Sequence, residues 1–345
     1  MPQVLTHQQL LETAGEFGTP LYVYHAERIT EQYQRLQAAF QETDATFFYA
    51  CKALTNINVL KHIKSTGCNA DCSSINEVRL ALLAGFEPAK VLYTSNNIAF
   101  GEIEAAVSLG VHVNIDSLSN LRKFGDLYGH SYPVGIRLRP NIMAGGNLKI
   151  STGHNKSKFG IPVEDIGQVL NIMKEKNLHI RTLHIHTGSE IKDVEVFAKG
   201  IEVLFDLIKH FPELQVIDLG GGFKVPYVPG EEGTNIELLG KKVKAEFEAI
   251  EKIYGRRLQV WFEPGKFLVS EAGYFVVQVN VLKQSGNTCF AGVNSGLNHL
   301  IRPMFYGSYH HIANLSNASG VPKPYHIVGN ICETDTFAED RMIAE

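Results

Sequence analysis

Covalent cross-links, bilayer anchors and a grip on polyanions are all poorly provided for in this chain of 345 residues. Its five cysteines, Cys51, Cys68, Cys72, Cys289 and Cys332, are odd in number and sparse for the length, which excludes a disulfide framework and suits free thiols in a reducing cytoplasm. Cys68 and Cys72 lie four apart with no second Cys/His pair at zinc-ribbon spacing, so they read as buried structural thiols. No apolar run reaches bilayer-spanning length, and Met1-Pro2-Gln3 opens neither a charged nor an apolar leader, so no membrane role is expected. The 32 basic residues stand against 36 acidic ones, for a net charge of −4, and form no basic block. Nucleic acid is therefore not an expected partner. Internal repeats and low-complexity tracts are missing too.

What is present is apolar and periodic. A hydrophobic content of 44% can bury a large core and fits one large domain plus a smaller one. Strand-like runs fall at residues 46–50, 69–73, 91–95, 111–116, 134–139, 180–187, 216–219 and 258–262. Helical patterns separate most of them, at 56–65, 75–83, 101–109, 118–127, 163–174, 194–210 and 236–253, and a further helix at 26–40 precedes the first strand. Eight strands alternating with helices predict an α/β fold, the (β/α)8 TIM barrel, over residues 26–265. A doubly wound open sheet would normally show a glycine-rich turn after its first strand, and none follows Ala50. After Gly265 the pattern turns to β, with strands expected at 275–282, 288–293 and 324–328. Residues 266–345, joined by 1–25, are expected to form a second, β-rich domain. Its last stretch, 336–345, shows no structural closure and leaves that domain looking incomplete, whereas residues 226–233 read as a loop of the barrel face.

Barrel enzymes build their sites at the C-terminal ends of the strands. There this chain carries Lys52, Ser74, Ser95-Asn96, Asp116, Arg139, His186 to Ser189, Gly220 to Gly222 and Glu263 to Gly265. A long cationic side chain closing a buried strand is costly to desolvate, which favours the neutral amine that Schiff-base chemistry uses; the plainer alternative is that Lys52 snorkels to water. Gly220-Gly221-Gly222 after the seventh strand would let backbone N–H groups approach a phosphate, Ser189 adding a hydroxyl, or would simply make a tight turn. His184 and His186, two apart on one strand, face the same side. That spacing occurs in metal barrels, but no further ligands are evident, so no metal is expected and His186 better suits a ring stacked on a flat cofactor. Glu263 ends an apolar strand and needs a partner, either an arginine or a protonated ring nitrogen. Lysine, phosphate loop, stacking histidine and carboxylate together fit pyridoxal 5'-phosphate. Beyond the barrel, Arg302-Pro303 with Tyr306 and His310 reads as a surface helix or turn, or as an anion site; Cys332-Glu333-Thr334-Asp335 reads as a surface turn, or as a proton donor beside an acid.

Taken together, the chain resembles the fold type III pyridoxal-phosphate-dependent decarboxylases, most closely the diaminopimelate decarboxylase family. The resemblance rests on Tyr49-Ala50-Cys51-Lys52-Ala53; Ala70-Asp71-Cys72 with Ser74 and Glu77; Arg137 to Pro140; Thr152-Gly153 with Lys158-Phe159-Gly160; and His184 to Ser189. It continues through Gly220 to Gly222, Glu263 to Gly265, Arg302-Pro303 with Tyr306, and Cys332-Glu333. It implies that Lys52 is the Schiff-base lysine, that His186 stacks on the cofactor ring, and that Ser189, Gly221, Gly222, Glu263 and Gly265 hold phosphate and ring nitrogen. It further implies that Arg302 and Tyr306 take a distal carboxylate, Glu333 a distal ammonium, and Cys332 or Lys52 returns the proton. The expected reaction is decarboxylation of meso-diaminopimelate to L-lysine by a cytoplasmic homodimer in which Cys332 reaches the partner's barrel. Three departures stand out: Lys266 where an arginine that contacts substrate is usual, Asn294-Ser295-Gly296 where Asp-Ala-Gly is usual, and no Gly-Ala-Tyr segment after Cys332.

Overall fold

The computed structural model describes residues 4–142 and 157–345. By its own packing the chain forms two compact units. Residues 29–225 with 232–271 make one, and residues 1–28, 226–231 and 272–345 make the other. The segment 226–231, expected as part of the barrel face, thus packs with the second unit.

The first unit is the expected barrel. Eight parallel strands run in order around it: β1 Ala45–Ala50, β2 Asn69–Cys72, β3 Val91–Thr94, β4 His112–Ile115, β5 Val134–Arg139, β6 Ile180–Ile185, β7 Val216–Asp218 and β8 Gln259–Phe262. Each pairs with the next, Asn114–Ile115 of β4 against Gly135–Ile136 of β5 included, and β8 returns to β1, so no edge remains open in the eight-strand ring. A two-residue strand, Ile161–Pro162, adds a short pairing to the end of β5. The helices Ile57–Ser65, Ile75–Leu83, Phe100–Ser108, Leu118–Tyr128, Ile166–Lys176, Glu195–Ile208 and Ile236–Tyr254 fall where periodicity predicts them. Their starts are sequence-coded: Asn56, Ser74, Ser117 and Asn235 each accept N–H bonds from the first turn they precede.

Phe48, Leu92, Val216 and Trp261 fill part of the barrel interior from β1, β3, β7 and β8. One pair of polar groups inside meets directly: Asn114 Nδ2 donates to Thr94 Oγ1 at 3.0 Å. Gly135 leaves Asn114 its room, since a Cβ there would overlap the amide oxygen. Close to Trp261, Arg181 donates to His112 Nδ1 at 3.2 Å, and His112 Nε2 lies 2.9 Å from the carbonyl of Ala89. One ring nitrogen accepts and the other donates, which fixes a neutral imidazole.

The second unit is β-rich but not as sequence alone suggests. Residues 7–17 form a helix, His7–Phe17, capped by Thr6 and Gln9 in a reciprocal capping box. Leu21–Tyr24 pairs antiparallel with Gly273–Val276. The expected strand at 275–282 divides here: Val279–Ser285 is a separate strand, and with Thr288–Val293, Pro322–Val328 and Thr336–Ala344 it makes a four-stranded sheet in that order. The stretch 336–345, expected to lack closure, is therefore a paired strand packed through Ala338 into a core with Ala291, Val293, Tyr325 and Ile327. Among the described residues no helix is long and apolar enough to cross a membrane.

Burial first, then Arg181, draws His112 from 6.5 down to about 4. A histidine held neutral in the fold binds its proton more readily when unfolded, so its contribution is present above about pH 6.5 and is lost as pH falls toward 4. Across that window the wild type should lose more stability than His112→Phe, by at most about 3 kcal/mol. Urea midpoints measured at intervals of pH check this, and parallel curves for the two proteins would refute it.

Candidate active site

The C-terminal ends of β1, β6, β7 and β8 bring the barrel's share of the expected site together. After β1 the chain makes one 3-10 turn, Cys51–Ala53, which carries Lys52. The turn is held in place by neighbours: Ala50 N–H donates to the carbonyl of Pro264 at 3.1 Å, and Gly265 lies so near that a Cβ on it would stand 3.2 Å from the Cβ atoms of Ala50 and Ala53. Lys52 itself is exposed. Of the two alternatives the sequence left open, the structure takes snorkelling: the backbone is fixed on buried Ala50 and Cys51 while the side chain reaches the open mouth.

Beyond β6 and β7 the two expected loops lock together through backbone. Gly221 N–H donates to His186 Nδ1 at 3.2 Å, and Ile191 N–H donates to the carbonyl of Gly222 at 2.9 Å. Gly220 N–H donates to Asp218 Oδ1 at 2.9 Å, and Glu263 N–H to the carbonyl of Gly220 at 2.8 Å. A Cβ on Gly221 would fall on the carbonyl oxygen of Glu263, and one on Gly222 on that of Gly188. Gly220 and Gly222 also adopt φ of 64° and 98°, the left-handed region. The triplet is thus demanded by the packing of three loops, and it leaves backbone rather than side chains lining that part of the mouth. Ser189 is partly exposed in the loop after Gly188.

Beneath the mouth lies a set of buried charges that the sequence reading did not assemble. Asp71, Arg137, His184, Asp218 and Glu263 are all buried, from β2, β5, β6, β7 and the end of β8. Burial pushes Asp71 and Asp218 well above the usual carboxylate range, and the charge of Glu263 adds to it. Burial opposes ionisation of Glu263 as well, but its contact with His184 and the charge of Lys52 outweigh it and hold it below the usual carboxylate range. Glu263 keeps the negative charge, therefore, while its two acidic neighbours hold protons. Burial also lowers His184 and, helped by Lys52 and Arg137, takes His186 well below the imidazole range, so both rings are neutral. His184 Nε2 lies 3.4 Å from Glu263 Oε1.

The sequence left His184 without further ligands, yet the fold brings Asp218 and Glu263 to it, with donor atoms within 4.8 Å of one another. His186 does not join them. The carboxylates there already face a fixed cation, the guanidinium of Arg137, which meets Glu263, Asp116, Asp71 and Asp218 electrostatically. The signal for this set was legible as charge inside apolar strands: Asp71 in Asn-Ala-Asp-Cys, Arg137 in Val-Gly-Ile-Arg, Asp218 in Val-Ile-Asp. A second missed residue is Glu190, which forms an ion pair with Lys266 and so occupies the cation expected to face substrate.

Four expected residues belong to the other unit. Arg302 and Tyr306 share the short helix Arg302–Tyr306, where the guanidinium lies 5.2 Å from the centre of Tyr227's ring and 5.5 Å from that of Tyr306, and donates to Ser308 Oγ at 3.2 Å. Cys332 and Glu333 are both exposed in one bend. That bend is tied down by Asp335, buried, whose Oδ1 accepts from Leu297 N–H at 2.7 Å. Of the two acids after Cys332, then, Asp335 is an anchor and Glu333 is exposed. Thr152-Gly153 lies outside the described residues.

Residues 26–270 match the family described as pyridoxal-dependent decarboxylase, pyridoxal binding domain. The chain is 37% identical to the diaminopimelate decarboxylase of Methanothermobacter thermautotrophicus, over 97% of this chain and 80% of that protein. It is 33% identical to that of Escherichia coli strain K12, over 97% and 81%. Among solved structures, the Helicobacter pylori diaminopimelate decarboxylase complexed with L-lysine superposes with a TM-score of 0.87 at 28% identity, over 97% of this chain and 85% of that one.

Because Gly222 combines a left-handed φ with contact to the Gly188 carbonyl, Gly222→Ala should cost at least about 2 kcal/mol of stability. A denaturant midpoint measured beside that of Gly230→Ala tests this, since nothing lies within 4 Å of a Cβ at Gly230. Equal losses would show that strain alone, not the loop contact, sets the cost.

Proposed function

The chain belongs to the pyridoxal-dependent decarboxylases, and on that premise we propose that it decarboxylates meso-diaminopimelate to L-lysine with pyridoxal phosphate as cofactor. The observation that carries the reading is the ionised, buried Glu263 beside Lys52 and neutral His186 at the mouth of the matched barrel. Three features fit the cofactor. Glu263 Oε1 is buried and makes no hydrogen bond, as an acceptor for a protonated ring nitrogen would be. The glycine loop presents main chain where a phosphate would sit, and of its three N–H groups those of Gly220 and Gly221 are given to Asp218 and His186, which leaves that of Gly222 for the anion. His186, fixed by Gly221 N–H, presents a flat uncharged ring.

When bound, pyridoxal phosphate supplies a carbonyl for Schiff-base exchange and a ring that accepts the electron pair left by departing carbon dioxide. Lys52 would hold it covalently, and its exposed amine is open to exchange with an incoming substrate amine. The fixed negative charge of Glu263 would keep a ring nitrogen protonated, the condition under which such a ring draws electrons. Gly222 and Ser189 would hold the phosphate, Gly221 fixes the His186 ring beside it, and Gly265 fixes the Lys52 turn. Return of a proton to the substrate carbon falls to Cys332 or Lys52.

Substrate choice is assigned to the second unit's residues. Arg302, set between two tyrosine rings, supplies a planar fork for a distal carboxylate, with Tyr306 beside it. Glu333 supplies an acid for a distal ammonium. A substrate with both groups at its far end, as diaminopimelate has, uses both; an ornithine- or lysine-type substrate uses only the acid. The same reading carries a cytoplasmic homodimer whose subunits complete each other's sites through Cys332.

The deciding experiment is carbon dioxide release from meso-diaminopimelate, L-lysine and L-ornithine, each with and without added pyridoxal phosphate. Release from diaminopimelate alone, dependent on the cofactor and yielding L-lysine, is expected; release from ornithine or lysine instead would overturn the substrate assignment. Lys52→Ala should lower turnover on the order of 10³-fold or more and abolish the Schiff-base absorbance of the holoenzyme. Glu263→Gln should retain that absorbance while lowering kcat about 10²- to 10³-fold, and unchanged turnover in this variant would remove Glu263 from the electron-withdrawing role.

A further inference from the structure

A second group of metal-competent side chains lies at the opposite end of the barrel from Lys52. His130 stands four residues before β5, His179 one residue before β6, and Glu213 three residues before β7, so all three belong to the N-terminal ends of consecutive neighbouring strands. One donor atom from each lies within 4.8 Å of the others. The His130 and His179 rings stack at 5.0 Å with 18° between their planes, and His130 Nε2 lies 2.9 Å from Glu213 Oε1.

We propose that His130, His179 and Glu213 form a binding site for a divalent transition metal of the zinc class. Two imidazoles and one carboxylate are the donor types zinc takes, and three protein ligands leave one position for water. Calcium and magnesium, which favour all-oxygen surroundings, do not suit the set. An ordinary surface ion pair accounts for His130 and Glu213 but not for the second imidazole laid parallel to the first.

The backbones that carry His179 and Glu213 are held independently of any ion. The carbonyl of His179 accepts from Val134 N–H at 3.0 Å, tying its turn to the start of β5. Arg256 grips the turn before Glu213 through the carbonyls of Ile208, Phe211 and Pro212. Leu178 and Leu214, each next to a ligand, are buried. The side chains, by contrast, are half-exposed at His130 and Glu213, so rotation of χ angles alone can bring the donors to coordinating distance. Side chains already stacked and paired with one another leave little further ordering for an ion to impose. A bound ion would clasp the turns before three adjacent strands and stabilise the folded chain by mass action.

The test uses the holoenzyme, treated with chelator and then dialysed against zinc chloride. The wild type should retain one zinc per chain more than His130→Ala/His179→Ala, and Glu213→Gln should bind that zinc at least about tenfold more weakly. Zinc should raise the melting midpoint of the wild type and not of the double variant, and the extra ion should leave as pH falls through the imidazole range, because only neutral rings ligate. Decarboxylation by the zinc-free variants should match the zinc-free wild type, which separates this site from the barrel mouth and its His184, Asp218 and Glu263. Equal zinc retention by wild type and double variant would overturn the proposal. So would a zinc-induced rise in melting midpoint that survives Glu213→Gln undiminished.

Discussion

Arg137 surrenders its hydration inside the barrel, and the carboxylates of Glu263, Asp116, Asp71 and Asp218 are what it meets in exchange. Removing a guanidinium from water costs several kcal/mol, and charge on the acids recovers that only where it is close and fixed. Several acids share one buried cation, so they cannot all stay ionised. Asp71 and Asp218 are driven to the protonated form and Glu263 retains the charge. The protonation pattern at the mouth is set by the electrostatics of its floor, before any ligand enters. Neutral His184 and His186 follow from the same confinement.

Much of this was legible in the residues because barrel strands are short, apolar and bounded. All eight appear at their expected places, and the helices between them carry visible caps such as Ser74 and Asn235. The glycine triplet was legible as well, although the structure gives it a reason that sequence cannot supply: two carbonyl oxygens stand where side chains would go. For Lys52 the sequence left burial and snorkelling both open, and the structure takes the second. Strand hydrophobicity reports where a backbone is buried, whereas the direction of a side chain two residues past the strand depends on the 3-10 turn it enters. The floor of charges escaped because it is assembled across five strands, each contributing one residue that alone looks like an interruption.

Errors in the second unit have a different origin. Thr6 and Gln9 do spell a capping box before residue 7, so the helix His7–Phe17 carried a local signal that the neighbouring β pattern overshadowed. Thr336–Ala344 offered no such signal. It mixes Glu339, Asp340 and Arg341 into a strand whose pairing with Pro322–Val328 shifts register twice, and Asp340 takes a positive φ of 44°. Its place in the sheet comes from a partner strand rather than from its own alternation. Lys266 illustrates the same limit on the barrel side: nothing in the run Glu-Pro-Gly-Lys announces that Glu190, 76 residues earlier, will claim its ammonium.

The cradle at Gly220 to Gly222 has an evolutionary consequence. A binding surface made of main chain offers selection almost no handle, because any added carbon collides with a neighbouring loop. Under the proposed function, divergence in this scaffold would be channelled away from these loops and into positions such as Arg302, Tyr306 and Glu333, which lie outside the barrel's strands. On that proposal, inheritance of the cofactor and novelty in the substrate are written into different parts of the chain, so that descendants of this sequence would acquire new amino-acid preferences while keeping the old coenzyme.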